Sequence, residues 1–306
     1  MSFVRTIGLL LVGLMISTNA HARLLLIASQ ESELYQEFIS GFSERLGAGS
    51  DDIDIKYSED LNGLDGYETI IVAGVDAAKN LSKRDVGKAA VIYTMMPLSS
   101  YQWLVENDQL SAPDSHKVLY IDQPPHRYIS LAKETFPHLK SLGYLYGDIS
   151  ILYVDELRRV LEERSMELVA GHVSPKMKLP RDLKGTFMQS DALLLMPDPY
   201  LYNRRSVQGV LLASFRYKRP LISYSESFVK AGALMGLFSK PRDIGLDTAE
   251  LVLCLRAKCP KMVGKHFYPT YFSIVVNNAV ARQLGIKVKS SEELRKHLET
   301  IENIVH

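Results

Sequence analysis

From residue 23 onward, short apolar runs alternate with segments whose apolar residues recur every three or four positions. Residues 24–28, LLLIA, read as a buried strand that stops at Ser29-Gln30. Leu34, Phe38 and Phe42 then recur at four-residue spacing, as in a helix with one face on a core. The same reading predicts strands at 54–57, 68–73, 89–93 and 118–121, with a helix near 76–81. The strand at 68–73 ends at Gly74, and the one at 89–93 runs into Thr94-Met95-Met96-Pro97. After Pro125 the alternation restarts with a helix at about 126–139 and a strand at 142–146 that ends at Gly147. In the next helix Val154, Leu157, Val160 and Leu161 mark one face, while Glu156, Arg158, Arg159, Glu162 and Glu163 mark the other. A strand at 168–172 and a short helix at about 180–188 follow.

Residues 190–236 show the pattern most plainly. Strand-type runs at 192–196 and 220–224 each end at polar or turn residues, and each precedes a helix-like segment. Strands separated by helix-sized segments favour βαβ units, hence parallel sheets with helices on both faces. Ligands of such sheets sit beyond the carboxyl ends of the strands, so Asp198, Tyr200, Ser223, Tyr224, Ser225 and Glu226 fall where binding groups belong. Further along come a short strand at 234–238, a helix carrying Ile244, Thr248, Leu251 and Leu255, a strand at 271–276 and a helix at 279–284. The tail has a capping box, Ser290 with Glu293, and an apolar face at Leu294, Leu298, Ile301 and Val305.

The predicted class is α/β, with two Rossmann-like lobes built on parallel sheets. Asp122-Gln123-Pro124-Pro125 is the best candidate for a first crossing between lobes, because consecutive prolines resist helix and mid-sheet placement. The alternative is a turn within one larger sheet.

Composition adds an address. Residues 1–22 have one basic residue, Arg5, then an apolar run at 7–16 and Ala20-His21-Ala22, the small-residue pattern of a signal peptidase site. A membrane anchor would need about 20 apolar residues. Cleavage would remove one charge and leave 35 basic against 35 acidic residues. Such a balance carries no electrostatic footprint for nucleic acid or an anionic membrane surface. The two cysteines, Cys254 and Cys259, lie close together in a chain read as exported, so a local disulfide is expected. It would add only about 2 kcal/mol on the chain-entropy estimate, as a staple for a helix end.

Signatures of catalysis are sparse. There is no GxGxxG after a strand, no GxxxxGK[ST] and no GxSxG. The eight histidines are scattered, and no pair has the spacing of a helical metal site. Asp122, Asp198 and Glu226, near strand ends, could do acid–base work, but no nucleophile's partner is marked beside them, which favours binding. Tyr146, Tyr200, Tyr202 and Tyr224 converge on the side where a cleft should lie and offer both a flat apolar face and a hydroxyl.

Several long segments carry a resemblance: DQP at 122–124, LGYLYG at 142–147, DALLLMPDP at 191–199, ISYSESFVKAGAL at 222–234, PRDIG at 241–245 and FSIVVNNAVARQLGI at 272–286. Through them the chain resembles the exported substrate-binding proteins of ABC transporters, which have the type I periplasmic binding protein fold. The resemblance implies two α/β lobes joined by three crossing strands, near Asp122, Ser239 and Tyr271, that hinge shut on a solute. Residues 1–22 would then be the signal peptide, 23–122 plus about 240–270 one lobe, and about 123–239 plus 271–306 the other. By position Ser29, Gln30, Gly74, Thr94 and Gln123 would face the cleft from the first lobe, and Tyr146, Asp198, Tyr200, Tyr224 and Ser225 from the second. An amino-acid ligand would want a carboxylate clamp and an acidic partner for its ammonium, and Asp198 or Glu226 would supply the latter. The implied protein is a periplasmic, monomeric, non-enzymatic carrier without cofactor or metal. It would pass an amino acid or other small organic solute to an inner-membrane permease. A sensing subunit for a membrane receptor and an exported enzyme on the same scaffold are the alternatives.

Overall fold

A computed structural model describes residues 23–47, 53–111, 113, 115–173, 179–203, 206–259 and 264–304. The predicted signal segment at 1–22 lies outside the described residues, as does Val305.

The first lobe is a sheet of β1 (Leu24–Ala28), β2 (Ile53–Tyr57), β3 (Thr69–Ala73), β4 (Ala90–Met96), β5 (Lys117–Tyr120) and β11 (His266–Phe267), in the order β11-β5-β4-β3-β1-β2. All its pairings are parallel. Its central strands, LLLIA and TIIVA, are buried along their whole length because both faces are covered. Leu25 and Ile27 pack on one side with Val72 and Tyr93, while Leu24, Leu26 and Ala28 pack on the other with Phe38, Phe42 and Ile244. The covering helices are α1 (Glu33–Leu46), α2 (Val75–Leu81), α3 (Leu98–Glu106) and α9 (Pro241–Arg256).

The second lobe holds β6 (Ser141–Tyr146), β7 (Glu167–His172), β8 (Ala192–Leu194), β9 (Leu221–Ser223), β10 (Met235–Phe238) and β12 (Ser273–Val276), in the order β12-β10-β9-β8-β6-β7. Its sheet is parallel except at the edge, where β12 runs antiparallel to β10. Around it lie α4 (Pro125–Thr135), α5 (Val154–Glu162), α6 (Leu179–Gln189), α7 (Val207–Tyr217), α8 (Glu226–Ala231), α10 (Asn278–Leu284) and α11 (Ser291–Ile301). The α5 face of Val154, Leu157, Val160 and Leu161 is buried, and α11 has the Ser290–Glu293 capping box.

The chain therefore passes between sheets three times: after β5, after β10 and after β11. At these passages polar side chains are tied together in a buried knot. Gln123, fully buried, donates from Nε2 to Ser239 Oγ at 2.7 Å, and Ser239 Oγ donates to the Tyr271 carbonyl at 2.5 Å. Arg127 Nη1 donates to Gln123 Oε1 at 2.5 Å and to the Pro269 carbonyl at 2.8 Å. The other edge of the same guanidinium is bidentate to Glu302, just beyond α11, at 2.6–3.0 Å. Asp247 of α9 accepts the Thr270 and Tyr271 amide N–H groups at 2.9 and 3.3 Å.

After the second passage α9 returns to the first lobe and lies against α1. The approach is possible only because both helices carry glycine at the contact. A Cβ on Gly41 would sit 2.1 Å from the Arg242 carbonyl oxygen, and one on Gly245 2.1 Å from that of Phe38.

Some elements differ from expectation for identifiable reasons. The helix predicted to reach 139 ends at Thr135, since Phe136 precedes Pro137 and adopts φ −126°, ψ 81°. Helix α3, absent from the sequence reading, begins directly after Pro97, whose ring favours a helix start as much as a strand stop. Strand β11 spans two residues, too few to show a period. Cys254 and Cys259, where the sequence places a disulfide, are both partly buried at the end of α9. Backbone geometry already closes that helix end. Lys258 takes a left-handed φ of 52°, the Cys259 N–H bonds the Cys254 carbonyl at 3.0 Å, and the Lys258 N–H bonds that of Leu255 at 3.2 Å.

Two outcomes are expected. Gly245→Ala should force α1 and α9 apart and lower stability by about 2–3 kcal/mol in urea denaturation; an unchanged midpoint would show that the helices can separate freely. Glu302→Gln should cost about 3 kcal/mol at neutral pH by leaving the Arg127 cation buried alone. Burial raises the Glu302 carboxyl, but the bonds from His126 and Arg127 outweigh it and hold the group down at about 2. Its contribution is thus full above the ordinary carboxylate range and disappears as pH falls through about 2, where variant and wild type should converge.

Candidate functional site

The carboxyl ends of both parallel sheets open onto one cleft between the lobes. An inner cavity of about 300 Å³ lies there, beside the crossings. Leu34, Met95 and Pro97 line it from the first lobe, and Tyr128, Pro197, Tyr224 and Ser225 from the second. Its floor comes from the crossings themselves: Ile121, Asp122, Phe238 and Ser239, with Pro241 and Ile244 at the start of α9. A second cavity of about 300 Å³ lies further out, with Val75, Ser100 and Trp103 on one side and Ile149, Pro199 and Tyr200 on the other. Trp103 and Tyr200, both exposed, thus line a common space from opposite lobes.

The position of the inner wall follows from local geometry. A register shift after Tyr93 and a left-handed φ of 55° at Met95 turn the end of β4 and bring Met95 and Pro97 to the cavity. Pro97 caps α3, and Asp122 Oδ2 accepts the N–H of its first residue, Leu98, at 2.5 Å. Asp122 is 3% exposed, its carboxyl shut away from solvent. Burial, only partly opposed by bonds from the Leu98 N–H and the Tyr153 hydroxyl, pushes this carboxyl up to about 7. The Tyr224 phenol is pushed up to about 12, first by burial and then by the Asp198 and Asp122 charges, so it stays protonated.

The residues expected at the cleft divide into three groups. Tyr224 and Ser225 line the inner cavity and Tyr200 the outer one. Ser29 and Gly74 line neither cavity and are joined to the start of α2. Ser29 Oγ accepts the Ala77 N–H of α2 at 3.1 Å, and Gly74, at φ 99°, leaves room for the Tyr35 hydroxyl, which a Cβ would meet at 2.1 Å. Gln30 beside them is exposed.

The remaining expected residues have partners within the fold. Thr94 shares the sheet face of Ile92 and is fully buried, its Oγ1 3.3 Å from Thr248 Oγ1 of α9. Gln123 belongs to the crossing knot. Tyr146 stacks on Tyr144 and tilts against His172, at centroid distances of 5.9 and 5.4 Å. Asp198 is 1% exposed with both oxygens occupied. Oδ2 accepts Ser150 Oγ at 2.6 Å and the Gly147 N–H at 3.2 Å, while Oδ1 accepts the Tyr200 and Leu201 N–H groups at 3.0 and 3.1 Å. It therefore pins the two loops that carry Ile149, Pro199 and Tyr200 to the outer cavity. Glu226 pairs with Lys230 at 3.0 Å on the surface of α8.

Sequence reasoning did not reach Leu34, Met95, Trp103 and Tyr128 as cleft residues. Of these only Trp103 had an available signal, as the single tryptophan of the chain. Asp122 was legible as a carboxylate at a crossing. Among the described residues no group of three or more His, Cys, Asp or Glu could hold a metal ion, and no helix is long and apolar enough to cross a membrane. What the arrangement offers is a partly open, mostly apolar space with one buried carboxyl among its lining residues.

The family model described as ABC transporter substrate binding protein matches residues 66–299. No curated protein matches. Among solved structures, the chain is similar to the ligand-free, open form of a substrate-binding protein with adhesive properties from Clostridium difficile, at 16% identity and a TM-score of 0.66. That match covers 89% of this chain and 97% of the other. It is also similar to a conserved domain protein from Vibrio cholerae, at 17% identity and a TM-score of 0.57, covering 90% and 98%. A third is an ABC domain in complex with L-Trp from Streptococcus pneumoniae, at 16% identity and a TM-score of 0.56, also covering 90% and 98%. These likenesses agree on the two-lobed fold.

Two buried carboxyls make the stability of this site pH-dependent. Asp247, like Asp122, is pushed up to about 7 by burial, against the N–H bonds of Tyr271 and Thr270. An unfolded aspartate titrates near 3.9. Between about 4 and 7 the folded chain binds more protons than the unfolded one, so stability should fall as pH rises through that window and level off above it. Asp122→Asn should remove its share, on the order of 3 kcal/mol. Urea denaturation from pH 4 to 8 should then show a shallower slope, with the gain over wild type largest above pH 7. Parallel slopes would mean that the Asp122 carboxyl ionises without penalty.

Proposed function

The chain belongs to the ABC transporter substrate-binding proteins, and from that premise we propose that it captures a small solute between its lobes and delivers it to a membrane permease. A solute-binding role is what the family does. The observation that supports the cleft as the place of capture is the inner cavity, walled by both lobes and floored by the crossings. A ligand seated there touches both moving bodies at once, so closing the lobes increases its contacts, and the ligand in turn stabilises the closed form. The cavity volume lies at the lower end of the range for small-molecule sites, which suits a solute of one or two rings. An aromatic amino acid is one such molecule, and the Streptococcus pneumoniae relative is a complex with L-Trp.

Delivery requires the protein to be where the permease is reached. Export to the periplasm, supported by the Arg5, apolar run and Ala20-His21-Ala22 pattern, completes the proposal. The permease would read lobe closure, since that is the change ligand brings about.

Ligand binding is expected to raise the melting temperature and to change the emission of Trp103, the single tryptophan and a wall residue of the outer cavity. A thermal-shift screen of amino acids, amines, sugars, nucleosides and small organic acids tests this. Tyr224→Ala should weaken any hit at least ten-fold. A hit that ignores Tyr224→Ala and leaves Trp103 emission unchanged would place the binding site elsewhere.

A further inference from the structure

We propose that the outer cavity sets the specificity of the cleft: Trp103 and Tyr200, one from each lobe, close on a flat unsaturated ring of the solute and discriminate against a saturated body of the same size. This rests on the reading of the cleft as the ligand site and names the class of solute it holds.

Large aromatic side chains carry much of the apolar area that folding removes from water, so they are usually covered. Trp103 and Tyr200 are 42% and 72% exposed, yet they line one cavity of about 300 Å³ from opposite lobes. Each ring is mounted on fixed backbone. Trp103 lies within α3, with the Lys79 ammonium of α2 5.6 Å from its ring centroid, and the N–H of Tyr200 is held by Asp198 Oδ1 at 3.0 Å. The fold therefore places both rings and leaves both uncovered. Lobe closure supplies the cover, because it brings the two walls of this cavity together.

The outer cavity continues the inner one. Ser100 lies one turn of α3 beyond Pro97, and Pro199 two residues beyond Pro197, so the same two segments wall both spaces. A solute seated against Tyr224 in the inner cavity extends its other end between Trp103 and Tyr200. The rest of the outer wall is Val75, Ser100, Ile149 and Pro199, and among the described residues lining it none is ionised. A charged end group would lose hydration there without meeting a countercharge. Apolar area alone would accept any hydrocarbon, and the two rings add the discrimination. An aromatic ring is negative on its faces and positive at its edge, so an offset or edge-on contact with a second aromatic ring contributes beyond the area it buries. A saturated ring lacks that complementarity. Two such contacts amount to about ten-fold in affinity.

Matched pairs isolate the ring from its head group. L-phenylalanine with L-cyclohexylalanine, benzylamine with cyclohexylmethylamine, benzyl alcohol with cyclohexylmethanol, and benzoate with cyclohexanecarboxylate are titrated calorimetrically against the full chain. In at least one pair the aromatic member should bind about ten-fold more tightly than its saturated counterpart. Trp103→Leu and Tyr200→Leu, which keep apolar volume but remove the aromatic face, should each reduce that ratio to about three-fold or less, while Tyr200→Phe should preserve it. Both positions are exposed, so the unliganded variants should melt with the wild type, which separates loss of a contact from loss of the fold. Equal binding within every pair, a preference that survives both leucine variants, or no binding by any of the compounds would overturn the proposal. If compounds that bind without a ring preference still respond to Tyr224→Ala, the cleft reading survives; if they ignore that variant, it falls as well.

Discussion

The buried guanidinium of Arg127 is the point on which the two-lobed arrangement depends. It reaches the first crossing through Gln123, the third through the Pro269 carbonyl, and the C-terminal end of the chain through Glu302. Gln123 then carries the connection on to Ser239 in the second crossing. Three polypeptide passages that lie far apart in sequence are thereby held together by side chains that could not all be satisfied if one passage moved away. A cation inside a protein demands such company, because losing its partners strands a charge away from water. This fastening leaves the two sheets separate while fixing where they meet.

Two further constraints shape the cleft from that junction. The glycines at 41 and 245 let α9 lie against α1, so the segment after the second crossing returns to the first lobe. Asp198 gathers the loops after β6 and β8 and sets the outer edge of the second lobe. Between them lies a space that is apolar on most sides and has a lone carboxyl at its base.

Much of the architecture could be read from residue order. The strands LLLIA, TIIVA and SLGYLY and the two-faced α5 declare themselves because burial on both faces demands unbroken apolar runs and burial on one face demands a helical stripe. The site was less legible. Asp198 and Gln123 stood at strand ends where ligand contacts belong, yet each was taken up by loops or crossings distant in sequence. Trp103 lay in a helix hidden behind Pro97, and Met95 reached the wall through a left-handed backbone that no composition announces. The backbone closure at Cys254 and Cys259 likewise carries no mark in the sequence.

Periodicity, which depends only on neighbours along the chain, determined the α/β class, the restart after Pro125 and the side of the sheets on which binding groups collect. Which of those groups remains open to a ligand is a matter of partners, and partners are supplied by folding. Asp198 and Asp122 are both carboxylates at the end of a strand. Only the tertiary structure decided that the first meets four donors across two loops and the second is shut in at a crossing, under the first N–H of α3 and the Tyr153 hydroxyl.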